Sequence, residues 1–200
     1  MARLPAVLDE RDLPLPELIA AGLDGEVVRI DRGWVSIDEP DLRELRAAVL
    51  GKRDVRDLIV ERRSAAWVHG ALLAPPTPPQ FCVPITARIA MRVARDFPIR
   101  EIAIEEDDVI AFGEVRCTTL ARTVYDLARD RSESDADAID ATAAALACAG
   151  SIRATTSLAE LVRTRVESAF RLPHKACALD RLDRAAAVAA AQPAETRYTS

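Results

Sequence analysis

Apolar positions along this chain recur either every three to four residues or in alternation with polar ones, which predicts an α+β fold. In the N-terminal part the pattern predicts a helix over 15–22 ended by Gly22, hairpin strands over 27–30 and 34–37, and helices over about 41–50 and 54–72. The predicted helix over about 54–72 would carry apolar residues at helical spacing, namely Val55, Leu58, Ile59, Ala66 and Trp67. Trp67 is therefore expected in the core, whereas Trp34, next to the hairpin turn, is expected to be partly exposed or to pack on the preceding helix.

The segment 75–79 contains four prolines and predicts an extended connector, because proline fits neither a helix interior nor a central strand. The pattern beyond it predicts strands over 81–85 and 99–104, and two short strands, 109–113 and 114–117, as two edges of one small sheet bent at Gly113. Four predicted helices follow. The first spans about 118–130 with Thr118 or Thr119 as its cap, and the second spans 135–149 between Ser134 and Gly150. The third spans 157–169 with Thr156 or Ser157 as its cap and Glu160 completing a capping box, and the fourth spans 173–191 with Pro173 in its first turn.

Composition narrows the class of protein. Half of the 200 residues are apolar, and no run of 18 apolar residues and no apolar leader is visible, so we expect a cytoplasmic protein without a membrane partner. The formal net charge of −5 is unlike that of a protein that coats nucleic acid. The four cysteines, Cys82, Cys117, Cys148 and Cys177, stand apart from one another, so we expect free thiols and no metal site.

Positive charge is nevertheless concentrated in two places, around the helix before the prolines and over residues 151–185, which have seven basic and four acidic side chains. The candidate DNA-binding or partner-binding residues are Arg53, Arg56, Arg62, Arg63, Arg163, Arg165, Arg171 and Lys175. Such residues can contact phosphates whatever the overall charge of the protein, or face an acidic groove on another protein. They can also be no more than solvated helix faces.

Three segments resemble the abortive-infection AbiEi antitoxins of type IV toxin–antitoxin systems, in their actinobacterial form. Arg62–Gly70 is similar to a helix ending of that family, and Arg171–Leu179 to a basic stretch that opens its last helix. The most specific segment is Cys117–Arg129, which resembles the string V-T-T-x-x-R-T-x-x-D-L-A-R. Its family-motif residues are Thr118, Thr119, Arg122, Thr123, Asp126 and Leu127.

The resemblance implies an N-terminal winged helix-turn-helix followed by an antitoxin domain, with autorepression of transcription and neutralisation of a nucleotidyltransferase-like toxin. We therefore expect a reduced winged-helix-like module with connecting helices over 1–74, a proline-rich connector over 75–80, a small mixed sheet packed by C-terminal helices over 81–191, and a disordered tail over 192–200. Some relatives continue into a nuclease-like domain beyond the last helix, and this sequence does not match that extension.

One departure from the family plan affects DNA binding. A helix-turn-helix needs a recognition helix after its turn. Here Ala21-Gly22-Leu23-Asp24-Gly25 leads almost directly into the strand that begins at Val27, which leaves no room for such a helix. We therefore predict that any DNA binding is weak, tolerant of sequence and strongly dependent on salt.

Three groups of residues allow both a chemical and a structural interpretation. Arg122 and Asp126 lie one helical turn apart; they could orient a binding surface, but we expect Arg122 to tie its helix to the sheet and Asp126 to cap a neighbouring backbone. His69 is expected to act as a cation at a helix C-terminus. Glu114 and Arg116, which follow Asp107 and Asp108 along the chain, faintly resemble the acidic centre of a nuclease. The catalytic lysine that is usual in such a centre is absent from this segment.

The leading hypothesis is therefore a non-enzymatic antitoxin-like regulatory protein with no cofactor, no metal and no small-molecule substrate. Its expected partners are a cognate toxin and, weakly, DNA. Two alternatives remain open: a stand-alone DNA-binding repressor without a toxin partner, and a vestigial protein without surviving activity.

Overall fold

The computed structural model describes residues 5–53, 57–87 and 97–191. It is a mixed α+β fold with a three-stranded sheet, a five-stranded sheet and a C-terminal bundle of helices. The predicted connector lies between two strands of the larger sheet. The predicted tail over 192–200 lies outside the described residues.

The first sheet belongs to the N-terminal part of the chain. Strands β1 (Val7–Leu8), β2 (Val27–Ile30) and β3 (Gly33–Ser36) pair in the antiparallel order β1-β3-β2, and helix α1 (Leu15–Leu23) connects the first two. The predicted helix and hairpin are confirmed, and α1 runs into β2 through the short turn at 24–26.

Gly25 rather than Gly22 ends α1, so the predicted stop residue was wrong. The Glu26 N–H donates to Ala21 O at 2.9 Å and the Gly25 N–H to Gly22 O at 3.2 Å, with Gly25 at a φ of 76°. This is the hydrogen-bond pattern that closes many helices on a left-handed residue. Gly22 serves packing instead: a Cβ at this position would lie 2.8 Å from the Trp34 ring, which covers the helix there. Packing of Trp34 on α1 is thus confirmed.

Helix α2 (Arg43–Leu50) packs against the other face of this sheet and confirms the helix predicted over about 41–50. Val7 and Val35 lie side by side in register on that face, and both are buried in one cluster with Ala47 and Leu50. Because the same cluster contains Phe81 and Cys117 of the second sheet, α2 lies at the junction of the two sheets.

The predicted helix over 54–72 was wrong in its first half. Ile59 and Val60 form strand β4, and only Arg62–Val68 is helical, as α3. Val55 and Arg56 lie outside the described residues. Two β-branched side chains favour a strand when both faces are covered, and here Ile59 and Val60 are both fully buried between their neighbouring strands. Trp67 is buried on α3, as predicted.

β4 is the central strand of the second sheet, whose order is β6-β5-β4-β8-β7. The other strands are β5 (Phe81–Pro84), β6 (Ile99–Ile102), β7 (Val109–Phe112) and β8 (Val115–Thr118). β4 pairs antiparallel with β5 and parallel with β8. The sheet therefore contains strands from both sides of the proline-rich segment.

The strands predicted around Gly113 form one antiparallel hairpin rather than two edges of the sheet. Only β7 is at an edge, whereas β8 is paired on both sides. Gly113 lies in the turn with a φ of 60°, a conformation that glycine adopts without strain.

Four helices complete the fold: α4 (Leu120–Ala128), α5 (Asp135–Ala147), α6 (Ile152–Ser168) and α7 (Lys175–Ala191). The caps of α4 by Thr119 and of α5 by Ser134 are confirmed. The predicted start of α6 was wrong, because Ser151 caps the helix and accepts the Ala154 N–H at 3.2 Å, so Ser157 and Glu160 lie inside it. None of the helices in the described part of the chain is long and apolar enough to span a membrane.

Candidate functional site

The segment that carries the family resemblance forms the joint between the sheet and the helical bundle. Thr118 ends β8, and Thr119 caps α4 by accepting the Arg122 N–H at 3.3 Å. The buried Thr118 hydroxyl lies 2.8 Å from the Thr123 hydroxyl, which donates to Thr119 O at 2.9 Å. Leu127 is buried on the same helix. The corner between β8 and α4 is therefore held by short-range hydrogen bonds among Thr118, Thr119, Arg122 and Thr123. We refer to these four residues as the motif corner.

Arg122 joins this corner to the rest of the protein. Its Nε donates to Asp126 Oδ2 at 2.8 Å and its Nη1 to Asp108 Oδ2 at 2.8 Å, and all three residues are buried. The expectation that Arg122 ties its helix to the sheet is confirmed, because Asp108 directly precedes β7. Asp126 is bound by Arg122, and the expected backbone cap is not observed among the described residues.

Asp108 is the point where the sheet, α4 and α6 meet. Arg165 of α6 donates to both of its carboxylate oxygens, at 2.5 and 2.6 Å, while Arg122 of α4 binds it from the other side. Burial raises the pKa of Asp108, but the two guanidinium groups lower it by more, so the pKa lies below its ordinary value. Burial dominates at Asp126 and raises its pKa despite the pairing with Arg122.

A second buried carboxylate, Glu61, lies between β4 and α3. Arg62 Nε donates to Glu61 Oε1 at 3.2 Å, and Arg100 Nε of β6 donates to the same oxygen at 2.7 Å. Arg62 also reaches Asp130 Oδ2 at 2.8 Å, beyond the end of α4. Arg62 is thus part of the internal framework and does not present a free positive charge to a ligand.

Among the described candidate residues before the prolines, Arg53 also forms an ion pair. Its Nη2 donates to Asp31 Oδ2 at 2.6 Å, and its guanidinium lies 4.9 Å from the Phe81 ring centre and 5.1 Å from that of Phe97. Burial lowers the pKa of Arg53, and the carboxylate of Asp31 opposes this effect. Arg63 is half-buried, and its backbone N–H donates to Gln80 Oε1 at 2.9 Å.

The candidate residues of the C-terminal helices differ in how far they are engaged. Arg163 is paired with Asp183, and Arg165 with Asp108. Lys175 Nζ donates to Glu167 O at 2.9 Å, and Arg171 stacks at 5.1 Å on Phe170. Phe170 lies in the α6–α7 loop and is 87% exposed, which is unusual for an aromatic side chain.

His69 is a neutral, buried side chain, so the predicted cation at the end of α3 was wrong. Its Nε2–H donates to Thr118 O at 2.8 Å, and its Nδ1 has no hydrogen-bond partner in the described part of the chain. Burial lowers the pKa of His69 below its ordinary value. The ring therefore links α3 to the motif corner without a charge.

Two carboxylates of the acidic turn, those of Glu106 and Asp108, are engaged by arginines. Asp108 is occupied by two arginines, and Arg116 pairs with Glu106 at 3.2 Å. Within residues 5–53, 57–87 and 97–191 no group of three or more His, Cys, Asp or Glu side chains could hold a metal ion. Cys82 and Cys117 are free and buried, and burial raises the pKa of both thiols.

A cleft of about 750 Å³ lies between α2 and the β7–β8 hairpin, within the size range of small-molecule sites. Its walls include Lys52, Arg53, Phe112 and Arg116. Lys52, Arg53 and Arg116 are each paired with an Asp or Glu, so the positive charge of the cleft is already balanced by protein carboxylates.

Sequence reasoning missed one surface, on the outer side of α1. Leu15, Ile19 and Leu23 recur every fourth residue and are 39%, 45% and 84% exposed, whereas Leu18 is the one fully buried residue of this helix. Two signals could have revealed it: the spacing itself, and the nine acidic against three basic residues over 5–40, a net charge of −6. We refer to Leu15, Ile19 and Leu23 as the α1 stripe.

No protein-family model matches this chain, and no curated protein sequence matches it at a significant level. The resemblance of Cys117–Arg129 to the antitoxin string therefore stands on the quoted residues and on the contacts that they make.

Proposed function

We propose that this protein is a non-enzymatic regulatory protein of the antitoxin type, which neutralises a nucleotidyltransferase-like toxin. The observation that carries the proposal is the motif corner. Five polar residues by which Cys117–Arg129 resembles the antitoxin string make specific internal hydrogen bonds here: Thr118, Thr119, Arg122, Thr123 and Asp126. Residues that hold a strand-to-helix junction together are needed for the fold. A sequence that shares these residues with the antitoxins is therefore expected to share their fold, and this supports a shared function.

The N-terminal module supports the same assignment. A winged helix has a small antiparallel sheet with a helix inserted between its first strands, and the order β1, α1, β2, β3 agrees with this arrangement once the recognition helix is removed. We infer that the module is a reduced winged helix that has kept its wing hairpin.

The charge of this module favours a protein partner over DNA. Residues 5–40 have a net charge of −6, which repels the phosphate backbone, while three exposed apolar side chains on α1 suit a protein surface. Binding to a protein partner therefore accounts for features of the module that binding to an operator does not.

Co-expression tests the proposed function. A nucleotidyltransferase-like protein encoded beside this gene would be the candidate toxin; it is induced with and without this chain, and growth of the culture is measured. We expect growth arrest by the toxin alone and recovery when both proteins are present. The control is the toxin induced together with an unrelated protein, which should not restore growth. Continued arrest with both proteins soluble would contradict the proposal.

A second function, DNA-binding repression without a toxin partner, is favoured by one observation. The exposed Phe170 ring, the stacked Arg171 and the nearby Lys175 combine an aromatic platform with positive charge, a combination that contacts nucleic acid without reading its sequence. If this function is correct, a gel shift with the upstream region should persist although no toxin is bound.

A further inference from the structure

A small cavity with a positively charged lining lies where α4 ends and α7 begins. Its volume is about 110 Å³, and its walls include Arg129, Arg131, His174 and Arg181. None of the described residues that line it is an aspartate or a glutamate. The first turn of α7, which has no acidic residue, borders the cavity at Cys177, so the N-terminal end of this helix adds a partial positive charge. We refer to this space as the α4–α7 cavity.

Two arginines of the cavity have a positive charge that the described part of the chain does not balance with an ion pair. Arg129 caps the C-terminus of α4, and its guanidinium lies 4.7 Å from the ring centre of Tyr125. Its buried Nε has no hydrogen-bond partner among the described residues. Arg131 is exposed in the loop that follows. A buried donor without an acceptor is uncommon in folded proteins, and a bound anion would supply both the acceptor and the opposite charge.

Arg181, by contrast, is fixed in the wall of the cavity by contacts of its own. Its Nε donates to Asp135 Oδ1 at 2.9 Å and its Nη1 to Asp130 O at 2.5 Å, so Asp135 balances its charge. The unbalanced charge at the cavity is therefore that of Arg129 and Arg131. Two guanidinium groups match the charge of about −2 that a terminal phosphate group carries near neutral pH.

We propose that the α4–α7 cavity binds one terminal phosphate group, either as inorganic phosphate or as the phosphate monoester of a small molecule such as a nucleotide. Sites that enclose a drug-sized ligand have volumes of roughly 300–1,000 Å³, so this cavity holds the phosphate and leaves the rest of the molecule outside. A phosphodiester within a nucleic-acid chain has a single charge and fits less well. The inference does not rest on the proposed function.

Cys177 provides a direct readout of the cavity. Its thiol is free and exposed and lines the cavity, so a bound anion should shield it from alkylation. Modification of Cys177 by iodoacetamide is followed by mass spectrometry while inorganic phosphate is added at constant ionic strength. We expect a Kd of about 1 mM or lower, so about 10 mM phosphate should slow the modification about tenfold or more. The same rate in phosphate and in sodium chloride of equal ionic strength would overturn the proposal.

Matched variants test whether the two arginines hold the anion. Arg131→Gln removes the exposed charge, and Arg129→Gln combined with it removes both unbalanced charges. The control carries Arg43→Gln with Arg153→Gln, at two exposed positions that do not line the cavity. Circular dichroism and thermal melting verify that each variant is folded.

We expect the Kd for phosphate to rise about tenfold in Arg131→Gln and protection of Cys177 to disappear in the double variant, whereas the control should keep the parent Kd. If the double variant does not fold, Arg131→Gln alone decides, because an exposed arginine is not needed for the core. A folded Arg131→Gln variant with the parent Kd would overturn the assignment of the site.

Further ligands distinguish the source of the phosphate group. Tighter binding of adenosine 5′-monophosphate than of inorganic phosphate would identify a nucleotide, and the reverse order would identify the free ion; either result supports the site. Adenosine, which has no phosphate, should leave the alkylation rate unchanged. Protection of Cys177 by adenosine as strong as by its monophosphate, or by an oligonucleotide with 5′-hydroxyl and 3′-hydroxyl ends as strong as by phosphate, would overturn the choice of a terminal phosphate.

Discussion

At the scale of single residues, the protein uses its arginines mainly as internal connectors. Arg122 binds two carboxylates from separate elements, Arg165 binds one of the same carboxylates from a third, and Arg62 connects Glu61 to Asp130. A planar guanidinium presents several N–H donors in fixed directions, which suits it to bridging acidic groups that come from different parts of the chain. The internal contacts of the polar motif residues therefore account for their presence without any role in binding.

Breaking the Arg122 pair should destabilise the protein strongly. Arg122→Ala leaves buried Asp126 without its partner, and the expected loss in free energy of unfolding is about 3–5 kcal/mol. The double variant Arg122→Met with Asp126→Leu should lose clearly less than the two single changes together, because neither member of this buried pair is left without the other, while Asp108 keeps its contact with Arg165. Urea unfolding measures both. The control, Arg163→Ala, removes a half-exposed pair and should cost at most about 1 kcal/mol. Additive effects of the two core substitutions would show that the residues do not interact.

Trp67 should behave as a core residue. Its side chain is buried on α3, and the Arg46 guanidinium lies 5.5 Å from its ring centre. Trp67→Ala is expected to lower the free energy of unfolding by about 3–5 kcal/mol, the usual cost of emptying a large core position. The measurement is thermal or urea unfolding, with the exposed Leu73→Ala as a control that should change little. A melting temperature near that of the parent protein would place Trp67 at the surface.

His69 should make stability depend on pH. Its pKa is lowered by burial, so between the lowered value and the ordinary value of about 6.5 the unfolded chain binds a proton that the folded protein does not. The free energy of unfolding should therefore fall as pH is lowered from about 7.5 to 5.5, by up to about 1.4 kcal/mol per pH unit from this group.

His69→Gln can still donate to Thr118 O and does not titrate, so its stability should depend less on pH over the same range. Leu73→Gln, at an exposed position without a titratable side chain, should keep the pH dependence of the parent protein. Urea midpoints at several pH values provide the comparison. Identical pH profiles for His69→Gln and the parent protein would mean that His69 titrates equally in the folded and unfolded states.

At the scale of elements, caps and pairing partners decide where helices and strands begin. Thr119, Ser134 and Ser151 each accept a backbone N–H from the first turn of a helix. Tertiary packing explains why Ser151 rather than Ser157 caps α6. Thr155, which precedes Ser157, is buried and donates to Leu146 O at 3.2 Å, so this part of the chain already belongs to the packed helix.

Ser151→Ala should therefore cost about 1 kcal/mol of stability, through loss of the cap of α6. Ser157→Ala is the matched control within the same helix, and it should be neutral or slightly stabilising because alanine favours helix interiors. Both variants are compared by urea unfolding. Equal losses for the two serines, or a larger loss at Ser157, would contradict the start of α6 at Ile152.

At the scale of the whole molecule, charge is unevenly distributed. Residues 5–40 have a net charge of −6, whereas residues 151–185 have a net charge of +3. The basic surplus is smaller than it appears in the sequence, because Arg165 and Arg181 are paired with aspartates outside this range. The acidic surplus is smaller as well, because Lys52 and Arg53 pair with aspartates of residues 5–40. Long-range attraction should still favour basic partners at the N-terminal end of the chain and anionic ones at the C-terminal helices.

DNA binding should be weak, salt-dependent and insensitive to sequence. With no helix available for the major groove, phosphate contacts dominate, and affinity should fall steeply between low and physiological salt. Arg171→Gln with Lys175→Gln should weaken binding to the upstream region and to a scrambled duplex alike. Fluorescence anisotropy at two salt concentrations measures this, and Arg29→Gln with Arg32→Gln in the wing hairpin serves as the control. A preference of about a thousandfold for the native sequence at physiological salt would show that a reading element exists.

Local patterns in the sequence were sufficient for much of the fold. The α1 helix, the β2–β3 hairpin, α2 and the starts of α4 and α5 follow from apolar periodicity, turn residues and capping residues, all of which act over a few positions. The place of Trp67 in the core and the role of Arg122 as a tie could also be inferred at this range. These features need no knowledge of what lies on the other side of the molecule.

Tertiary structure decided the rest, because the deciding contacts join residues far apart in the sequence. Ile59 and Val60 are a strand only because β5 and β8 flank them, and the pKa of His69 is lowered only because the folded protein buries its ring, with Phe112 packed against it. The same holds for the basic candidate residues. Arg53 and Arg165 are not free to bind a ligand, because each is paired with a carboxylate, 22 and 57 positions away respectively. The exposure of the α1 stripe likewise depends on which face of α1 meets the sheet, and that face is selected by the fit of Gly22 against Trp34.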